Sequence, residues 1–164
     1  MQFFRHVWHS RPSWKEAVFS AVMWAALMTL CVLADYYLWR HMLPPSTARI
    51  AMIFALGAGA AAPICLWLAR IMARKNTNST FAVMFILLAI GPIGLTALSF
   101  ACDFWLYFSQ WHGATFSGLW ANQFFFTFAS AIYQFLVSGL RLYLPFGLIA
   151  LAVASLWTSG RITR

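Results

Sequence analysis

The sequence predicts an all-helical, polytopic integral membrane protein with about four transmembrane helices. Three observations lead there. Of the 164 residues, 63% are hydrophobic and only 9% are charged, whereas about a quarter of a soluble domain is charged. Such a chain has too little polar surface to cover its apolar residues in water. Those residues also gather into long runs, and a bilayer span takes roughly 20 of them. The length therefore accommodates a handful of spans, and residues 1–164 read as a single membrane domain. Finally, Lys and Arg flank the runs, the placement that sets membrane orientation.

The net charge of +8 and the eleven basic residues could suggest nucleic acid as a partner. The basic residues form no stripe or run, so no nucleic-acid partner is expected. The acids are only Glu16, Asp35 and Asp103, and the high pI reflects missing acids as much as surplus bases.

Residues 1–12 are basic and aromatic. Phe3, Phe4, Val7 and Trp8 can share one helix face, with Arg5, His6 and His9 elsewhere on the turn. This suits an interfacial helix lying on the membrane, and equally a positively charged flank. Ser13 followed three residues later by Glu16 is a capping box that starts a first span over 17–39. Tyr36, Tyr37 and Trp39 close it with rings that favour the headgroup zone. Val32-Leu33-Ala34 before Asp35 resembles a signal-peptide cleavage site. The apolar run continues past it, so an uncleaved span is expected.

Pro44 and Pro45 end that helix, and a second span follows over 50–72. Its small residues, Ala55/Gly59 and Gly57/Ala61, repeat four apart, which lets a neighbouring backbone approach closely in lipid. This span is expected at the centre of the bundle. Arg70, Arg74 and Lys75 lead into the polar loop Asn76-Thr77-Asn78-Ser79-Thr80. A third span covers 81–108 and ends in a second aromatic group, Trp105, Tyr107 and Trp111. Pro63, Pro92 and Pro145 each fall near the middle of a span and are expected to kink it.

Apolar character then runs from Phe124 to Trp157, interrupted only by Arg141, too long for one straight crossing. Two solutions fit. Residues 119–134 lie in the outer interface and the span covers 135–157, or one long helix bends at Pro145 and Gly147. The first is preferred, because an aromatic-rich, Leu-poor segment suits the interface. In this four-span arrangement Arg5, Arg11, Lys15, Arg70, Arg74, Lys75, Arg161 and Arg164 share one face. The positive-inside rule then places both termini in the cytoplasm, with a bacterial inner membrane as the expected location.

Ionisable groups inside a membrane are candidates for function. Asp35, Asp103 and Arg141 qualify, with Arg49 at the outer end of span two. At 1.5 Å per residue their depths below the outer surface agree within roughly 3 Å. An ion pair of Asp103 or Asp35 with Arg141 is preferred over a titrating acid, because transport acids usually sit nearer the midplane.

Cys31, Cys65 and Cys102 show no C-x-x-C spacing and read as small hydrophobes. His6, His9, His41 and His112 all fall outside the spans. No metal-ligand spacing, catalytic set or phosphate loop is visible, and neither cofactor nor metal is expected. The expected function is a non-catalytic accessory or structural subunit of a larger inner-membrane complex. Respiratory, photosynthetic, secretion and conjugation machines are the candidate types, with the lipid bilayer and other membrane subunits as partners. The alternative is a small homo-oligomeric transporter or channel that uses outer-leaflet carboxylates.

Overall fold

The computed structural model describes residues 7, 8, 10–72 and 77–162. Among these, every regular element is helical. Four helices are long and apolar enough to cross a membrane: Trp14–Trp39, Thr47–Met72, Asn78–Trp111 and Gly118–Tyr143. A shorter apolar helix follows over Phe146–Gly160. In chain order, α1 (Trp14–Ala34) runs on into a π-helical turn, Asp35–Trp39. Next come α2 (Thr47–Met72) and α3 (Thr77–Phe108). The helix α4 (Gly118–Gln134) continues through a π-helical turn, Phe135–Gly139, and a 3-10 turn, Leu140–Tyr143. The chain finishes in α5 (Phe146–Ile162). Most of the proposed interfacial segment 1–12, including Phe3, Phe4, Arg5, His6 and His9, lies outside the described residues, as do Arg74, Lys75, Asn76 and Arg164.

The start of α1 follows from its capping box. The Glu16 amide donates to Ser13 Oγ at 3.3 Å, and the Ser13 amide donates to Glu16 Oε2 at 2.8 Å. Two of the helix's orphan donors are satisfied reciprocally. At the other end the Arg40 amide donates to the Asp35 carbonyl at 3.2 Å, a five-residue step that widens the last turn. Thr47 opens α2 by donating both its amide, at 2.9 Å, and its hydroxyl, at 2.7 Å, to the Pro44 carbonyl.

The central helix is α2. In its most apolar stretch 56% of the residues are buried, against 22% in α1, 22% in α3 and 11% in Gly118–Tyr143. Small side chains explain how it holds two neighbours at once. A Cβ at Gly57 would stand 2.4 Å from the Thr96 Cα on α3. One at Gly59 would stand 3.1 Å from the Ala21 carbonyl oxygen and 3.2 Å from the Ala25 Cβ on α1. Ala61 is buried between them and Ala55 is half-buried. Both α2 and α3 continue as helix through their prolines, Pro63 and Pro92.

Along α3 the buried positions Thr80, Met84, Leu88, Pro92 and Thr96 recur every four residues. The same spacing appears in α5 at Gly147, Leu151, Ser155 and Ser159. Residues four apart lie one above another on a helix, so each helix presents one ridge, and α5 packs along α3.

After residue 118 the chain follows the expected division only in part. The α-helix ends at Gln134, and the chain runs on through the π-helical and 3-10 turns to Tyr143. The break falls inside the expected span 135–157, at Leu144, which is extended (φ −105°, ψ 143°). Proline disfavours the α conformation in the residue before it and supplies no amide hydrogen. Pro145 therefore separates two helices where a kink in one was expected. The helix of crossing length in this half is Gly118–Tyr143, which contains the segment 119–134 that was expected in the interface.

Candidate functional site

All three acidic side chains of the sequence form ion pairs, and each partner is an arginine. Arg70 on α2 meets Glu16 on α1 through two contacts, 2.6 Å to Oε1 and 3.3 Å to Oε2. Glu16 thus closes the α1 cap and links α1 to α2. At the opposite end of α2, Arg49 donates from Nη2 (2.9 Å) and Nε (3.1 Å) to Asp103 Oδ1 on α3. Asp35 is buried, and Arg40 Nε reaches its Oδ2 at 2.8 Å. The π-helical turn brings this pair together, because residues five apart meet when the turn is widened by one residue. The Arg40 guanidinium also lies 5.0 Å from the centre of the Tyr36 ring, within cation–π range.

Arg141 takes no part in this set. It is exposed, and among the described residues it pairs with neither Asp35 nor Asp103. The expected pairing of Arg141 with one of these acids is therefore replaced by Arg40–Asp35 and Arg49–Asp103. The reason is level. Two residues after Arg141, the Tyr143 hydroxyl lies 2.7 Å from Thr96 Oγ1 and 3.2 Å from the Pro92 carbonyl oxygen, halfway along α3. Thr96 stands seven residues, about 10 Å, before Asp103 on that helix. Arg141 thus sits well inside the level of Asp103, not beside it.

Tyr143 is the main site residue that the sequence reading passed over. Its ring packs on Phe54 at 5.3 Å between centroids, and Phe54 also meets Phe135 at 6.0 Å. A tyrosine inside an apolar run is itself a signal, since a buried phenol must find a hydrogen-bond partner. The Glu16–Arg70 link left no such local sign, as its members stand 54 residues apart.

The remaining candidates stay separate. His112 Nε2 lies 3.3 Å from Thr127 Oγ1, and Gln123 Oε1 accepts from the Gly113 amide at 2.8 Å; both contacts brace the α3–α4 connection. Cys31 and Cys65 are buried and Cys102 is exposed, all as free thiols. Among the described residues no three His, Cys, Asp or Glu side chains gather around a point that could hold a metal ion. What the site can do chemically is narrow. Its acids are already matched by cations, and among the described residues Arg141 stands apart from them near the mid-level of α3.

No protein-family model matches the chain, and neither curated proteins nor solved structures yield a significant match.

Proposed function

We propose that the chain is a non-catalytic accessory or structural subunit of a larger inner-membrane protein complex, of the respiratory, photosynthetic, secretion or conjugation type. Both termini lie on the cytoplasmic side, and the chain is not an enzyme. The observation that carries this reading is Arg141. In a bilayer, an arginine at mid-depth costs up to about 2.5–3.5 kcal/mol on insertion scales, and Arg141, although near the end of its own helix, stands close to the middle level of α3. The chain has no acid left to offset that cost, since Glu16, Asp35 and Asp103 are engaged by Arg70, Arg40 and Arg49. A second copy of the chain brings no free carboxylate either. A carboxylate on another subunit's helix supplies the missing partner. Ser130, Gln134 and Ser138, exposed on the same helical stretch, offer the side-chain hydrogen bonds that join helices in lipid.

The test is purification of the native, tagged protein in gentle detergent or nanodiscs, followed by mass spectrometry. Other membrane subunits should travel with it in fixed stoichiometry. Arg141→Leu should release them while the chain keeps its helical circular dichroism. A clean homo-oligomer without partners would overturn the reading.

One observation favours the alternative of a small homo-oligomeric transporter or channel. Asp103 and Arg49 line a surface cavity of about 310 Å³ between α2 and α3, which a cation entering from the outer side would meet first. Arg49 already occupies the carboxylate, so transport requires its displacement. Ion flux in liposomes that is lost in Asp103→Asn would favour this alternative, and flux unchanged by that substitution would remove it.

A further inference from the structure

The helices do not close completely on one another. A cavity of about 480 Å³ lies among α1, α2, α3 and α5, walled by Trp24, Ala62, Leu66, Met84, Leu88 and Ala154. Glu16, Arg70, Ser20 and Thr158 also line it and give it polar groups. It adjoins a slot of about 700 Å³ between α1 and α5, whose walls include Leu27, Leu30, Phe146, Ile149 and Val153. The two spaces share Phe19, Met23, Trp24, Ala154 and Trp157. Both spaces open to the surface between α1 and α5, so in a bilayer they take up an occupant from their surroundings.

Shape and charge narrow the choice. A single hydrocarbon chain threads the space lengthwise. Water is disfavoured along the apolar walls, where it finds few partners. Among the polar groups, the Glu16 carboxylate already receives the Ser13 amide, the Ser13 hydroxyl and two Arg70 contacts. It has little capacity for a further donor. Arg70 keeps donors to spare, and Lys15 and Arg11 precede Glu16 at the same end of α1. Their surplus of positive charge favours a ligand with anionic oxygens.

We propose that the slot between α1 and α5 binds one acyl chain of an anionic phospholipid, the chain reaching the cavity and the phosphate resting at the Arg70 end. The proposal rests on the bilayer placement put forward above, and not on the presence of a partner subunit. It assigns the cavity a ligand class, and it gives Arg70 a role beyond its pair with Glu16.

The full-length chain is reconstituted into vesicles of phosphatidylglycerol and phosphatidylcholine, each lipid supplied in turn with a photoactivatable acyl chain. Labelled residues are located by fragmentation mass spectrometry. Met84 and Leu88 are both only 3% exposed, so a label on either comes from inside the cavity. Label on these two from the phosphatidylglycerol probe is expected to exceed that from the phosphatidylcholine probe severalfold, because both lipids bring a phosphate to Arg70 but phosphatidylcholine adds a choline cation that the positive Arg70 end repels. Ala154→Phe, which fills the cavity, should abolish the inner label and spare Met52 and Ile90 on the outer faces. Label on Met52 and Ile90 but none on Met84 or Leu88 of the unaltered chain would overturn the proposal alone. Equal inner labelling by the two lipids would also overturn it, by removing the anionic headgroup. Absence of label everywhere would overturn the bilayer placement with it.

Discussion

At the scale of single residues, the closest fit in the molecule is at Gly57. A methyl group there would stand 2.4 Å from the Thr96 Cα and 2.6 Å from its Oγ1, so α2 and α3 would have to separate. Overpacking of this kind costs about 1–3 kcal/mol. Gly57→Ala should therefore lower the unfolding temperature measured in detergent. Gly94, two residues before Thr96 and therefore on the other side of α3, has open space around its Cβ position. Gly94→Ala should be neutral, or stabilising by up to about 1 kcal/mol from helix propensity. Equal losses at the two positions would refute the close approach. This residue-level feature was legible in the sequence, because small residues four apart announce that another backbone comes near. Which backbone comes near each of them was not, since Gly57 faces α3 and Gly59 faces α1.

Among the elements, the first turn of α1 carries two tasks on one side chain. Glu16 completes the cap with Ser13 and holds Arg70 across to α2. Ser13→Ala removes the cap alone and should cost about 1 kcal/mol. Glu16→Ala should cost more, and its effect should fall when Arg70 is already replaced by Gln. A double-mutant cycle on thermal stability reads that coupling directly. If the Glu16 loss is the same with and without Arg70, the ion pair holds nothing together. The second half of the chain shows where element-level reading stops. Residues 119–134 were set apart by their aromatic content, yet Phe124 stacks on Trp120 at 5.5 Å and on Phe128 at 5.4 Å within one uninterrupted helix. The side chains of α4 serve one another as much as any interface. The α-helical part does end at Gln134, but the helical stretch stops altogether before Pro145, which the sequence reading weighed as a kink.

For the whole molecule, the proposed orientation puts the α1–α2 connection outside and the start of α1 inside. In intact cells a membrane-impermeant thiol reagent should label Ser46→Cys, and it should reach Lys15→Cys only after lysis. Both positions are exposed. The reverse pattern would invert the topology and, with it, the assignment of Asp103 to the outer side. Hydropathy, proline and capping residues by themselves determined that the chain is helical, roughly where its first three long helices lie, and that the second of them is central; α2 and α3 begin at Thr47 and Thr77, three and four residues before the expected starts, so Thr77–Thr80 is helix where a loop was expected. Each of these depends on residues a few positions apart in sequence. Tertiary structure alone decided which arginine meets which acid, how far inside Arg141 sits, that α5 seats on α3, and that a cavity remains beside α1. The interhelical ion pairs among them join residues 54 positions apart and the cavity walls join residues further apart still, and small offsets between helices set them. Counting residues from the end of each span assumes that all helices begin at one level; the Tyr143–Thr96 contact places Arg141 well inside the level of Asp103 and breaks that assumption.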